Sequence, residues 1–337
     1  MPNALVVGTG LIGASVGLAL RANGWTVSGW DPSLEALSVA VDIGAIDEAV
    51  ETLDTGLADL VVLAGPHDAM VELLRDMRPP GLVIDVAGVK HEVVMAGARL
   101  ARFVGTHPMA GREQSGPGAA SGALFKGASW IVTTDGAAEA DLVEAEEIIS
   151  SFGAIPRRMT ASEHDAAIAL VSAVPHVISA SLLHLVMDDP SAMSLAAGSF
   201  RDITRVSLSD PHLWADLFVA NRADVTVTLS HLVQELQDWS ALITSGDQAA
   251  LVNRLQMSRD ARQSLAPPVT VVLVMLEDKP GELAGVGRAL NACQVDIRDL
   301  QLRHGEHGGG GVLRLSVRPG EAEALREALQ AENFTVE

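Results

Sequence analysis

From residue 1 to about 158, short apolar runs alternate with stretches whose apolar positions recur at helical spacing. The runs are Ala4–Val7, Thr26–Trp30, Leu60–Ala64, Leu82–Asp85, Phe103–Thr106, Trp130–Thr133 and Ala154–Arg157. Amphipathic segments such as Leu11–Asn23 and Ala69–Met77 lie between them. Strand–helix alternation predicts a parallel, doubly wound α/β sheet with helices on both faces. Near Thr160 the alternation stops. From 159 to 265 the chain carries long apolar-periodic segments broken at Pro175, Pro190 and Ser209-Asp210-Pro211, which predicts an all-helical domain. Its apolar content fits one face buried against a second subunit, a homodimer; a self-contained bundle is the alternative. Ala266-Pro267-Pro268 reads as a linker. Over 269–337 the order is strand (Val269–Leu276), helix (Glu282–Asn291), strand (Val295–Arg303), glycine-rich turn, strand (Val312–Val317), helix (Glu321–Ala331) and strand (Phe334–Val336). That is a small βαββαβ, ferredoxin-like domain.

Composition narrows the chemistry. Hydrophobic residues at 48% and charged residues at 20% exclude a largely disordered chain. The 43 acidic against 23 basic residues, a net charge of −20, argue against nucleic acid or an anionic membrane as partner. A few cations gathered in a cleft still suit a small anionic ligand. One cysteine, Cys293, excludes an internal disulfide framework and a cysteine-rich metal site. No apolar run in the sequence approaches the roughly 20 residues of a membrane span. The strand pattern begins at once, without the basic start of a secretory signal, so a cytoplasmic protein is expected.

The first strand runs into Gly8-Thr-Gly10-Leu11-Ile12-Gly13, and a helix pattern follows. This is the Rossmann-type phosphate turn in its proper context. Gly8 permits the tight turn, Gly10 lets the backbone approach a pyrophosphate, and Gly13 lets helix and strand close up. The N–H groups from Leu11 and Ile12 onward face the phosphates with the positive end of the helix dipole. Asp31 closes the second strand, 18 residues after Gly13. A carboxylate there accepts from ribose hydroxyls and repels a 2′-phosphate, so NAD is favoured over NADP.

His107 follows the Phe103–Thr106 run, at the carboxyl edge of the sheet where doubly wound folds bind ligands. A neutral imidazole there can take a proton from a substrate hydroxyl as hydride leaves the same carbon. The residue alone fits a structural role equally well. The surrounding Gly105-Thr-His107-Pro-Met-Ala-Gly111-x-Glu113-x-Ser115-Gly116 resembles the prephenate dehydrogenase family, which includes arogenate-using enzymes. Asp85-Val-Ala-Gly88-Val-Lys90, Glu163-His164-Asp165, Pro175-His176 and Phe200-Arg201-Asp202-Ile-Thr204-Arg205 followed by Asp210-Pro-x-x-Trp214 resemble further family segments.

The resemblance covers residues 3 to about 265 and implies oxidative decarboxylation of prephenate to 4-hydroxyphenylpyruvate. It implies that His107 accepts the hydroxyl proton. Arg205 would bind a substrate carboxylate, held by Asp202 and Glu113, and His176, with His164 near it, would line the substrate entrance. A dianionic substrate in so acidic a chain needs local cations, and Arg112, Lys126, Arg201 and Arg205 are the candidates. Gly88 departs from the family, which usually has a serine whose hydroxyl helps hold the substrate; a water or Lys90 is the expected substitute. The resemblance leaves arogenate as the alternative substrate, and Gly88 leaves open a weakly active NAD and aromatic amino acid sensor. The tail resembles an ACT domain through Glu277-Asp278-Lys279-Pro280-Gly281-Glu282-Leu283, which implies a tyrosine effector near Asp278 and Gly281. His304 and His307 flank a glycine turn, but no third ligand is evident and no metal is expected.

Overall fold

The computed structural model describes residues 1–111, 114–265, 269–277, 279–304 and 310–337. The chain divides into two compact units, Met1–Glu235 and Leu236–Glu337.

In the first unit, β1 (Asn3–Val7), α1 (Leu11–Ala22), β2 (Thr26–Trp30), α2 (Leu34–Asp42), β3 (Glu48–Ala49), β4 (Leu60–Leu63), α3 (His67–Asp76), β5 (Leu82–Asp85), α4 (His91–Gly97) and β6 (Phe103–Val104) alternate along the chain. Six parallel strands form one sheet in the order β3-β2-β1-β4-β5-β6. β4 and β5 are buried along their whole length, which is why they read as unbroken apolar runs rather than as alternation. Successive residues serve opposite faces: Val6, Val62 and Ile84 join one apolar core, Leu5, Val61 and Val83 the other.

The run Phe103–Thr106, expected as one strand, is two. At Gly105 the chain leaves the first sheet and enters a second, built of β7 (Thr106–Pro108), β8 (Ser129–Thr133) and, beyond α5 (Glu139–Ser151), β9 (Ile155–Met159) in the order β7-β8-β9. A Cβ on residue 105 would stand 2.5 Å from Thr133 Oγ1 and 2.8 Å from Val94 Cγ2, so only glycine passes between them. His107, expected just past the end of the fifth strand, consequently sits within a strand of the second sheet, opposite Ile131 in an antiparallel pair.

The helical part follows: α6 (Ala161–Ile168), a π-helical turn (Ala169–Ala173), α7 (Val174–Met187), α8 (Pro190–Ser194), α9 (Gly198–Thr204), a 3-10 turn (Arg205–Leu208), α10 (Pro211–Ala220) and the start of α11 (Arg222–Ser245). Thr160 and Glu163 close a reciprocal capping box on α6, and Asp210 caps α10 ahead of Pro211. The π turn comes just before Pro175, whose missing N–H disturbs the regular ladder. Because the turn continues the helix instead of breaking it, Ala161–Met187 is one continuous helix of 27 residues, long and apolar enough to cross a membrane by length and composition. This departs from the expectation that no such segment exists. Its inner face carries buried His164, Asp165 and His176, while Leu170, Val171, Leu185 and Met187 are exposed.

The second unit begins within α11 and holds α12 (Gln248–Ser264), β10 (Thr270–Leu276), α13 (Glu282–Cys293), β11 (Asp299–His304), β12 (Gly311–Val317), α14 (Ala322–Ala331) and β13 (Thr335–Val336). The four strands form an antiparallel sheet in the order β11-β12-β10-β13. Val272, Val274, Leu313, Leu315, Leu325 and Leu329 form its core against α13 and α14.

Candidate active site

At the glycine turn, Gly8 has φ +94°, and a Cβ there would meet Ala64 O at 2.6 Å. A Cβ on Gly13 would lie 1.9 Å from Gly8 O, whereas Gly10 faces open space. Gly10 caps α1 without a side-chain hydrogen bond, and the first turn holds no acid. The N–H groups at Leu11, Ile12 and Gly13 are thus left for an anion, and the cradle fits a dinucleotide pyrophosphate. Asp31 Oδ2 accepts from Thr9 N at 2.7 Å, and its Oδ1 accepts from Ser33 N at 2.8 Å, so the carboxylate expected to meet a ribose is braced against the glycine turn itself.

On β7 and in the first turns of α6, two of the histidines expected at the site, His107 and His164, come together. His107 Nδ1 lies 2.8 Å from His164 Nε2, and His164 Nδ1 lies 2.7 Å from Asp165 Oδ1. Asp165 also accepts from the backbone N–H groups of Lys90 and His91, both at 2.8 Å, and so caps α4 from across the fold. Asn221 holds the same turn by donating to Asp165 O at 2.8 Å. His164 and Asp165 are buried, whereas His107 is half-buried.

Behind this chain lies a buried ion pair of Lys90 and Asp85, both fully shielded from solvent. Lys90 Nζ also donates to Thr106 O at 2.6 Å, and Thr106 N donates to Asp85 Oδ1 at 2.9 Å. Trp130 Nε1 donates to Thr106 Oγ1 at 2.9 Å, which completes the clamp on the residue preceding His107.

The electrostatics follow from that arrangement. Burial, then the neighbouring His164 and the Lys90 ammonium, push the His107 pKa well below the ordinary histidine value. The imidazole is therefore neutral near pH 7 and able to accept a proton. Burial pushes the Asp165 carboxyl up, but hydrogen bonds from His164 and from the Lys90 and His91 N–H groups outweigh it and hold the pKa below the usual range. Burial lowers the Lys90 pKa against the opposing pull of Asp85.

His176 stacks on Trp214 with ring centroids 3.9 Å apart, and Phe218 meets it edge-on. Burial lowers its pKa. Arg205 and Asp202 lie on exposed positions of the 198–208 segment. Ser207 Oγ is 2.6 Å from Ser179 Oγ, which fastens that segment to α7 one turn beyond His176. Arg201 is exposed on the same segment, and Lys126 is exposed beside Gly153. Glu113, Arg112, Asp278 and His307 lie outside the described residues.

Gly88 lies in the loop between β5 and α4, with its backbone outside the left-handed region. The space of a side chain there is taken by Leu217 of α10, whose Cδ2 would be 2.8 Å from a Cβ. Lys90, the expected substitute for a serine hydroxyl, is instead turned inward onto Asp85 and Thr106. Asp165, Thr106, Asp85 and Leu217 were not singled out as site residues. Asp165 carried a signal, its place next to His164, but adjacent helix positions do not normally cooperate.

A phosphate-binding turn, a carboxylate at the end of β2 and a neutral histidine beyond the sheet define an NAD-dependent two-part dehydrogenase. Two family profiles match: the prephenate dehydrogenase nucleotide-binding domain over residues 16–155, and the prephenate dehydrogenase dimerization domain over 160–257. A probable prephenate dehydrogenase of Streptomyces niveus is 31% identical, with 98% of each chain covered. The prephenate dehydrogenase of Bacillus subtilis is 28% identical over 93% of this chain and 91% of its own. Among solved structures, Aquifex aeolicus prephenate dehydrogenase in complex with hydroxyphenyl propionate and NAD+ superposes with a TM-score of 0.73 at 27% identity, covering 79% of this chain and 99% of that one. Synechocystis arogenate dehydrogenase gives 0.69 at 27% identity, covering 79% and 100%. The chain belongs to the prephenate dehydrogenase family and is an NAD-dependent oxidoreductase.

Proposed function

We propose that this enzyme oxidatively decarboxylates prephenate to 4-hydroxyphenylpyruvate. The observation that carries the reading is the neutral, half-buried His107 held on β7, just past the point where the chain leaves the nucleotide-binding sheet. Relatives that match it from end to end bear the prephenate dehydrogenase name. NAD, when bound, supplies the hydride acceptor. His107 takes the proton of the 4-hydroxyl as its carbon is oxidised, the ring carboxylate leaves as carbon dioxide, and aromatisation drives the reaction. The chain's own task is to position the ring and polarise the hydroxyl. Arg205, backed by Asp202 and Glu113, binds a substrate carboxylate, and His176 lines the entrance. Arogenate is the second reading, favoured by the likeness to an arogenate dehydrogenase structure. NADH formation with prephenate and with arogenate, each with NAD and NADP, decides between them; absence of activity with both overturns the proposal.

The working form is a homodimer. Leu213, Val219, Val227 and Val233 are exposed along α10 and α11, an apolar surface suited to a second copy of the chain. The matched profile over 160–257 is itself described as a dimerization domain. We assign residues 1–158 to NAD, 159–265 to substrate and dimerisation, and 269–337 to an ACT-like regulatory domain. Sedimentation of the full chain tests the dimer.

A further inference from the structure

His107 can accept a proton only if its outward nitrogen carries none, and the ring that fixes this, His164, stands directly behind His107. The proton order is set from Asp165. Its carboxylate already accepts two backbone N–H groups, from Lys90 and His91. An ionised carboxylate has no proton to give, so across the 2.7 Å contact His164 must donate from Nδ1. A neutral imidazole carries one N–H, so His164 Nε2 bears a lone pair and accepts. Across the next 2.8 Å contact His107 must then donate from Nδ1. Its one N–H is thereby committed inward, and Nε2 is left as a bare acceptor.

We propose that His164 and Asp165 are positioning residues of the oxidation, acting through His107 as an Asp–His–His chain. Asp165 sets the tautomer of His164, His164 sets that of His107, and His107 Nε2 faces the substrate hydroxyl unprotonated. This rests on the function proposed above. In the step, the substrate O–H bond breaks and its proton bonds to His107 Nε2, while the Nδ1 proton stays hydrogen-bonded toward His164. The imidazolium so formed meets two charges of opposite effect. The Lys90 ammonium disfavours it but is balanced by Asp85; the Asp165 carboxylate favours it through His164. Among the described residues these are the charged groups tied to the chain. His164 therefore belongs behind His107, rather than at the substrate entrance.

The direct test reads the tautomer. In the full-length protein with 15N-labelled histidine, long-range 15N–1H spectra at neutral pH, assigned with His107→Gln, should place the His107 proton on Nδ1. A proton on Nε2 overturns the proposal whether or not the protein turns over prephenate, so the chain and the assigned function fail separately. The second test is kinetic. His164→Leu should lower kcat about 30- to 300-fold with KM for substrate and NAD within about twofold, the pattern of a group acting only in the chemical step. His164→Gln should recover at least about a third of the loss on a logarithmic scale, because its amide oxygen can accept from His107 Nδ1. Asp165→Asn, whose amide can donate to His164 and reverse both tautomers, should fall with His164→Leu. A kcat within twofold of wild type for both His164→Leu and Asp165→Asn overturns the proposal. So does a glutamine variant no better than leucine. If the leucine variant does not fold, the glutamine variant and the spectrum still decide.

Discussion

Leu217 fills the place where a side chain on residue 88 would stand, its Cδ2 2.8 Å from that Cβ position. The glycine and the leucine are one packing unit. The helix α10 closes down on the loop after β5 because residue 88 has no side chain to hold it off.

This changes what Gly88→Ser should do. The backbone at 88 is not left-handed, so serine is conformationally acceptable. The obstacle is the leucine methyl, at the far end of a side chain that can turn. Gly88→Ser alone should lower stability by about 1–2 kcal/mol, as overpacking does, without raising kcat. Gly88→Ser with Leu217→Ala should relieve the crowding and raise kcat above that of Leu217→Ala alone. Thermal unfolding and initial rates on the four proteins check this. A double variant no faster than Leu217→Ala means that another group already serves the hydroxyl.

The phosphate turn and its acid were legible because their chemistry is local: three glycines and one carboxylate at fixed spacing. The sheet was legible because buried parallel strands are apolar throughout. The break at Gly105 was not, since Phe103–Thr106 looks like one strand until Thr133 and Val94 are seen to crowd residue 105. Nor was the role of Asp165. Its partners at Lys90 and His91 are 75 and 74 residues away, and no pattern along the chain announces a carboxylate that caps a distant helix. Likewise the filling of the Gly88 space depends on Leu217, a residue that reads only as one more apolar helix position.

The ribose contact gives a second prediction. Asp31→Ala removes both the acceptor for ribose hydroxyls and the charge that repels a 2′-phosphate. NAD binding should weaken at least about tenfold, on the scale of a lost charged hydrogen bond. NADP binding should change little, because the lost repulsion offsets the looser turn at Thr9. Titration of each cofactor by fluorescence quenching checks the ratio. Equal losses for both would falsify the ribose role.

The depressed pKa of His107 fixes the pH dependence. Activity needs the neutral ring, and protonation on acidification removes it. Since burial, His164 and Lys90 hold the pKa well below the ordinary value, the acidic limb of kcat/KM should lie below about pH 6.5, and activity should persist through that value. The linkage has the same sign. Between the folded and unfolded pKa values the unfolded chain binds the extra proton, so stability falls as pH drops below about 6.5. A pH–rate profile with an acidic limb at or above 7 contradicts the assignment. His107→Ala should lower kcat by about two to four orders of magnitude with the fold intact.

Arg205 is placed on the segment that Ser207 ties to α7. Arg205→Ala should raise KM for prephenate about 30-fold or more with a smaller change in kcat, the loss of a charge-assisted carboxylate contact. NAD affinity should stay within twofold. An unchanged KM moves Arg205 out of the substrate site.

The last prediction concerns the tail. Leu276, Glu277, Lys279, Gly281, Leu283 and Leu302 line a cleft of about 240 Å³ in the second unit, ample for one amino acid side chain. Gly281 caps α13 at φ +99°, a conformation a side chain rarely adopts, and makes no side-chain cap bond. Glu282 and Leu283 line the cleft as well, so the N-terminal end of α13 borders it and suits a carboxylate, while Leu283 and Leu302 offer apolar contact to a ring. Asp278, the expected partner of an ammonium, lies outside the described residues. Tyrosine bound there would act by favouring one conformation of the protein over another. A chain ending at Leu265 should keep its dehydrogenase activity and lose inhibition by tyrosine. Leu302→Glu in the full chain should raise the tyrosine concentration needed for inhibition about tenfold or more while leaving KM for prephenate in place. If the shortened chain is as tyrosine-sensitive as the whole one, tyrosine competes for the site around His107 and the tail has no part in sensing it. Competitive kinetics against prephenate in the full chain would agree with that outcome, whereas a fall in kcat with unchanged KM agrees with a site in the tail.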